Sequence, residues 1–391
     1  MTRTKAQIQD AVELFERVTV KHELQEQALQ TVLFLLELSP NTSIVNLVGP
    51  TGVGKSALQR RVFNTFVDEH RMEMERDKDF VPIIHTPAMA AGYRLFDWRV
   101  LYTTALAELG DVFVAGRSNR GSYARYDSDP TPFKRAGESR TAAALRMRLE
   151  AEFRLRRTRV WVIDEAQHLI FGRAGKPGDQ FDVLKSIADS TGVKLLLAGP
   201  HQMEPALGTS GQLARRSSTV NFGRYQPADQ RHMKTFASVA NALLKAMELP
   251  GYPSVHESLP LLYSGSAGCV GILKDWLARA YGSALREQMD DRVPALTLDH
   301  LRQTRLSLKA MQTIMADILC AEENAQDDAG DVDYERIVLG RSATQERRAQ
   351  HQLGAGKGRR VGVRASTRDP VPVAAASSAG AACGLAAEVH A

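Results

Sequence analysis

Cysteine is scarce in this chain, and long apolar runs are missing. The three cysteines, Cys269, Cys320 and Cys383, are odd in number and far apart. They argue against a disulfide framework or a zinc site, and they suit a reducing compartment as plain thiols. The longest early apolar stretch, residues 32–36, ends at Glu37 and is far too short to span a bilayer, and no signal peptide is visible. We therefore expect a cytoplasmic protein with no membrane partner. A large excess of one charge is also missing: the net charge of +5 permits an anionic partner without requiring one. With 391 residues, 43% hydrophobic and 24% charged, the chain can bury a large core, as a main domain plus a smaller one, and is neither disordered nor fibrous overall.

The most informative stretch is Gly49, Pro50, Thr51, Gly52, Val53, Gly54, Lys55 and Ser56, followed by Ala57. It fits the phosphate-binding pattern G-x-x-x-x-G-K-[ST] at every fixed position. Glycines let the backbone wrap a polyphosphate so that amides and the N-terminus of the next helix point at the negative charge. Lys55 then reaches the β/γ-phosphates, and the Ser56 hydroxyl is offered to Mg²⁺. Residues 44–48 read as a buried strand before the loop and residues 57–63 as a helix after it. A chance Gly-rich turn is the plain alternative.

Helical spacing over residues 5–38 predicts one or two helices that pack on the nucleotide domain, and residues 80–85 read as a second strand. Alternating helix and strand implies an α/β fold with a mainly parallel sheet, covered by helices on both faces and holding its ligand at the carboxyl ends of the strands. The third strand, Val160-Trp161-Val162-Ile163-Asp164-Glu165, runs four apolar residues into two carboxylates, the Walker B pattern. Asp164 would hold Mg²⁺, directly or through water, while Glu165 polarises the attacking water. The other reading is an Asp-Glu pair that opens the next helix.

About seventy residues separate the second and third strands, so a segment at about 88–158 reads as an insertion. It holds an aromatic cluster, Tyr93, Phe96, Trp98 and Tyr102, and between positions 117 and 159 twelve Lys or Arg against five acids. Arg117, Arg120, Arg125, Lys134 and Arg135 are the candidates to meet a DNA backbone. A solvated helix whose arginines pair with Glu150 and Glu152, above core aromatics, is the alternative. A helix near 181–188 leads to a fourth strand at 193–198 and then to Pro200-His201-Gln202, where a γ-phosphate sensor commonly stands; a loop residue bonded to a neighbouring carbonyl is the alternative for His201 or Gln202. Arg215 and Arg216 precede a fifth strand at 218–222, and in an oligomeric ATPase such an arginine reaches the neighbouring subunit's γ-phosphate. A surface pair is the alternative. Helical units follow over 229–247 and from Gly268, with one more helix over 297–319.

These residues resemble the AAA+ ATPases, and more narrowly the transposition regulators of the TniB/TnsC type. The resemblance is carried by residues 49–56, by 160–165 with Ala166-Gln167-His168, by 212–216, and by the helix that begins Gly268-Cys269-Val270-Gly271, and it spans about residues 10–315. It implies N-terminal helices over 1–40, an AAA+ P-loop core over 41–226 with a five-stranded mainly parallel sheet between helices, and a small helical lid over 227–319. It also implies ATP and Mg²⁺ as cofactors, ATP hydrolysis, and homo-oligomeric rings or helical filaments around duplex DNA. Such assemblies recruit or activate a transposase, with a target-selection protein as a further partner, and their inserted segment commonly supplies the DNA contacts. One departure stands out: no arginine follows Gly271, only Lys274, at the place of the second sensor. A helicase loader and a nucleotide-gated signalling scaffold that binds no DNA are the rival readings. Residues 320–391 are expected to be a disordered tail, acidic over 322–335 and with eight basic residues against one acid over 341–368.

Overall fold

The computed structural model describes residues 4–90, 96–110, 141–170, 179–203, 215–287 and 295–327. Five strands, β1 (Ile44–Val48), β2 (Ile83–Pro87), β3 (Val160–Asp164), β4 (Lys194–Gly199) and β5 (Ser217–Asn221), form one parallel sheet in the order β2-β3-β4-β1-β5. Val48 lies level with Gly199 and Asn221, and Pro87 with Asp164. The carboxyl ends of the strands therefore finish along one edge, the place where parallel sheets of this kind hold ligands.

The described α-helices are α1 (Lys5–Arg17), α2 (Glu23–Glu37), α3 (Lys55–Glu69), α4 (Arg71–Arg76), α5 (Trp98–Glu108), α6 (Ala142–Leu155), α7 (Asp179–Thr191), α8 (Gln230–Lys245), α9 (Val255–Ser266), α10 (Val270–Glu287), α11 (Leu298–Thr304) and α12 (Leu308–Asp327). Strand alternation divides the buried residues between two faces. Ile44, Trp161, Ile163, Leu195 and Leu197 pack with Leu101, Leu106, Phe153, Phe181 and Ile187 of α5, α6 and α7. Val45, Leu47, Val162, Leu196 and Ala198 pack with Val32 and Leu36 of α2 and Val62 and Phe66 of α3. Both faces are apolar, so the three inner strands β1, β3 and β4 read as near-continuous hydrophobic runs. A second body of helices closes around Phe236, Leu262, Trp276, Leu277 and Leu301, from α8 to α11.

Several expectations are corrected here. Of the two N-terminal helices only α2 packs on the sheet; α1 packs on α10, with Phe15 edge-on to Tyr281 at 5.8 Å. A stripe such as Ile8, Val12 and Phe15 shows that a helix has a buried face but not which body buries it. The second strand starts at Ile83, not Phe80, because Pro82 has no amide for a ladder and Phe80 turns to pack on His70 and under Arg157. The helix expected over 297–319 is two, broken where Arg305 is extended (φ −63°, ψ 159°). The second of these, α12, runs past the expected boundary at Cys320, because Ala321 is buried and Glu322 binds Arg224.

The inserted segment contributes α5 and α6 to the core. Tyr102 is buried, and Trp98 meets Phe96 edge-on at 5.2 Å, so these aromatics are packing residues. Around α6, Arg146 and Arg154 pair with Glu150, and Arg156 with Glu152 and Asp79. That is the solvated, internally paired arrangement. Tyr93 and all five candidate DNA contacts, Arg117, Arg120, Arg125, Lys134 and Arg135, lie outside the described residues. Among the described residues no helix is long and apolar enough to cross a membrane.

Candidate functional site

The loop between β1 and α3 owes its path to close backbone approaches. A Cβ on Gly49 would stand 2.3 Å from the Phe222 carbonyl oxygen. Gly54, at φ +115°, provides the left-handed turn from which α3 starts without a side-chain cap, leaving its first amides unclaimed by any side chain. Lys55 opens α3 and folds back over the loop, its Nζ donating to the carbonyls of Gly49 at 2.7 Å and Pro50 at 3.0 Å. Burial pulls the pKa of this ammonium below the ordinary lysine value, while the carboxylates of Glu165 and Asp164 act in the opposite direction.

Asp164 ends β3, two strands away, and points at the first turn of α3. Its Oδ1 accepts from the Gln59 amide Nε2 at 2.8 Å and from the Glu165 backbone N–H at 2.9 Å. Its Oδ2 faces the Ser56 hydroxyl at 3.5 Å. With Oδ1 occupied by two N–H donors, Oδ2 and Ser56 Oγ form an oxygen pair of the kind Mg²⁺ prefers. Together with a glycine loop that brings backbone amides and Lys55 toward one point, this donor set fits a magnesium-bound polyphosphate. Glu165 sits at φ 52°, a left-handed conformation that costs a non-glycine residue of order 1–3 kcal/mol and that concentrates at functional sites. Its carboxylate accepts from the side-chain amide of Gln167.

The helical body touches the loop directly. The Ile272 amide, in the first turn of α10, donates to the Gly52 carbonyl at 3.1 Å, and a Cβ on Gly271 would stand 2.4 Å from that same oxygen. Lys274 does not join it: its Nζ donates to the Glu16 carbonyl at the end of α1, away from the phosphate loop. His201, in the short helical turn after β4, lines a cavity of about 360 Å³ with Pro50, Arg224 and Glu322. Gln202 turns instead to Asp317 of α12, at 3.5 Å. Arg215 and Arg216 stand exposed just before β5, and Arg216 is ion-paired with Asp189 of the same chain.

Sequence reasoning passed over Gln59, His85, Arg224 and Glu322. Gln59 had a signal, since it lies four residues after Lys55 and so on the same helix face. Arg224, 8% exposed, is clamped by both oxygens of Glu322 at 2.8 and 3.0 Å, and no local pattern announces a contact across that separation.

Residues 40–207 match the family model described as "AAA domain". This segment holds the loop, Asp164, Glu165 and His201; it has the AAA+ P-loop fold, and the chain is an ATPase with ATP and Mg²⁺ as its cofactors. A comparison with curated proteins returned no match. Among solved structures, Cdc6p from Pyrobaculum aerophilum is similar at 18% identity and TM-score 0.49, over 75% of this chain and 69% of that one. The Aeropyrum pernix ORC1 protein, solved in complex with DNA, is similar at 16% identity and TM-score 0.49, over 75% and 68%.

Proposed function

We propose that this ATPase is a DNA-binding regulator of DNA transposition, which assembles as a ring or filament on target duplex and recruits or activates a transposase. The observation that supports the chemistry is the meeting of Lys55, Ser56 and Asp164 at the carboxyl edge of the sheet. In this reading the loop residues 49–57 wrap the phosphates and Lys55 exchanges the carbonyls of Gly49 and Pro50 for β/γ-phosphate oxygens. Ser56 and Asp164 would hold Mg²⁺, which would supply positive charge beside the transferred phosphoryl group. Glu165, held by Gln167, orients and polarises the attacking water, and His201 senses the γ-phosphate. Arg215 is our choice for the arginine that acts on the neighbouring subunit, because Arg216 is already engaged by Asp189.

DNA is assigned to Arg117, Arg120, Arg125, Lys134 and Arg135, since Arg146 and Arg154 of α6 and Arg156 at its end are paired with acids. The transposition role rests on the resemblance of residues 49–56, 160–168 and 212–216 and of the helix from Gly268. Electron micrographs of the full chain with duplex DNA and a slowly hydrolysed ATP analogue test the reading. Rings or filaments on DNA, together with ATP-dependent stimulation of strand transfer when a cognate transposase is added, are expected. Globular particles off the DNA would overturn the assembly.

A further inference from the structure

Behind the carboxylate of Asp164 runs a chain of two side chains with no part in the chemistry described so far. Gln59 is fully buried on α3, and its two polar ends are both engaged: Nε2 donates to Asp164 Oδ1 at 2.8 Å, and Oε1 lies 2.9 Å from Nε2 of His85 in β2. The chemistry fixes every orientation. An ionised carboxylate only accepts, so the Gln59 NH₂ must face Asp164, and its carbonyl oxygen must then accept from the His85 Nε2–H. Burial keeps the His85 pKa below the ordinary histidine value, and the neutral ring with its proton on Nε2 serves as donor as well as the charged one.

We propose that His85 and Gln59 are positioning residues for the magnesium site. His85 prevents the Gln59 amide from flipping, Gln59 then holds Asp164 Oδ1, and the second oxygen of Asp164 is left aimed at Ser56. Without Gln59 the carboxylate loses one of the two donors to Oδ1 and is free to rotate about its terminal torsion, which is broad and roughly two-fold. Without His85 the Gln59 amide loses its anchor and, once flipped, presents an oxygen to an oxygen. The inference rests on the reading of Asp164 as a magnesium ligand. Outer partners of a metal ligand are worth about 10–100-fold in metal affinity.

The test titrates a fluorescent ADP analogue into the full-length protein, first in EDTA and then across a magnesium series, and reads the magnesium concentration that half-maximally tightens binding. Gln59→Leu is expected to raise that concentration about tenfold or more while affinity in EDTA is unchanged, and His85→Leu to do so more weakly. His85→Gln, which restores a donor, should return it toward wild type. Melting curves by circular dichroism identify any variant that has unfolded, and the His85→Gln and His85→Leu pair then carries the test. An unchanged magnesium midpoint in Gln59→Leu, or a loss of affinity in EDTA by the same factor, would overturn the proposal. Asp164→Asn separates the two readings: if it leaves magnesium dependence intact, Asp164 is not the ligand. If it abolishes that dependence while Gln59→Leu does not change it, only the positioning role fails.

Discussion

Two opposing influences meet at Lys55: the desolvation that makes its ammonium costly and the two carboxylates that hold it charged. Lys55→Ala removes the cation directed at the phosphates, and loss of nucleotide binding is expected in a fluorescence titration. Glu165→Gln keeps the shape and the charge-independent contacts, so binding should persist while turnover, followed as phosphate release, falls about 10²–10⁴-fold as for a lost general base. Its complexes with DNA should outlive those of the wild type, because hydrolysis no longer dismantles them. Normal hydrolysis by Glu165→Gln would remove that residue from the water-activating role. At this scale the loop and the two acids were legible in the sequence because each fixed position answers to one chemical need. The place of Gln59 on the Lys55 face had a signal too, but its contacts with His85 and Asp164 did not, since they join residues 26 and 105 positions apart.

Helix starts and ends carry the next set of consequences. His22 is the N-cap of α2, its Nδ1 accepting from the Gln25 amide at 3.4 Å with the Tyr225 hydroxyl at 2.9 Å. Burial first, and then the nearby Arg61, push its pKa down to about 4. A group whose pKa is depressed by folding supplies stability that is present above its unfolded value near 6.5 and is lost as pH falls from there toward 4. The full effect is about 3 kcal/mol. Thermal unfolding should therefore show a drop between pH 7 and 4 that His22→Asn, which keeps a capping oxygen, makes shallower. A drop of equal size in the variant would assign the acid sensitivity to other groups. Near the end of the described residues, Glu322 of α12 satisfies the buried Arg224 guanidinium. Glu322→Ala should cost about 2 kcal/mol, less than a sealed pair because Glu322 keeps 28% exposure; urea unfolding measures it. Element existence was legible here: β1 follows its apolar run residue for residue. What an amphipathic helix packs against was not, and α1 sits on α10 for reasons that lie 266 residues beyond Phe15, in Tyr281.

At the scale of the molecule, two predictions test the assembly. Arg215→Ala should bind ATP as the wild type does yet hydrolyse it poorly. Mixing it with Lys55→Ala should restore part of the activity, because a site needs its own Lys55 and its neighbour's arginine; no recovery would count against action in trans. For DNA, log affinity should fall linearly with log salt, and each backbone contact removed should lower the slope by about one. Arg120→Glu with Arg125→Glu should weaken binding uniformly across sequences and leave ATP binding intact; an unchanged slope would move the contact elsewhere. The path of the chain adds a consequence of its own. It leaves the helical body after α1, builds the sheet, and returns through residues 222–229. These two crossings run side by side where His22 stacks on Phe222 at 6.2 Å and meets Tyr225 at 5.6 Å. A body held by one strand can swivel in any direction, whereas one held by two adjacent pins swings like a door, about a single axis. Because α1 packs on α10, a dye attached to α1 should report any such swing of α10 toward or away from the Gly52 carbonyl.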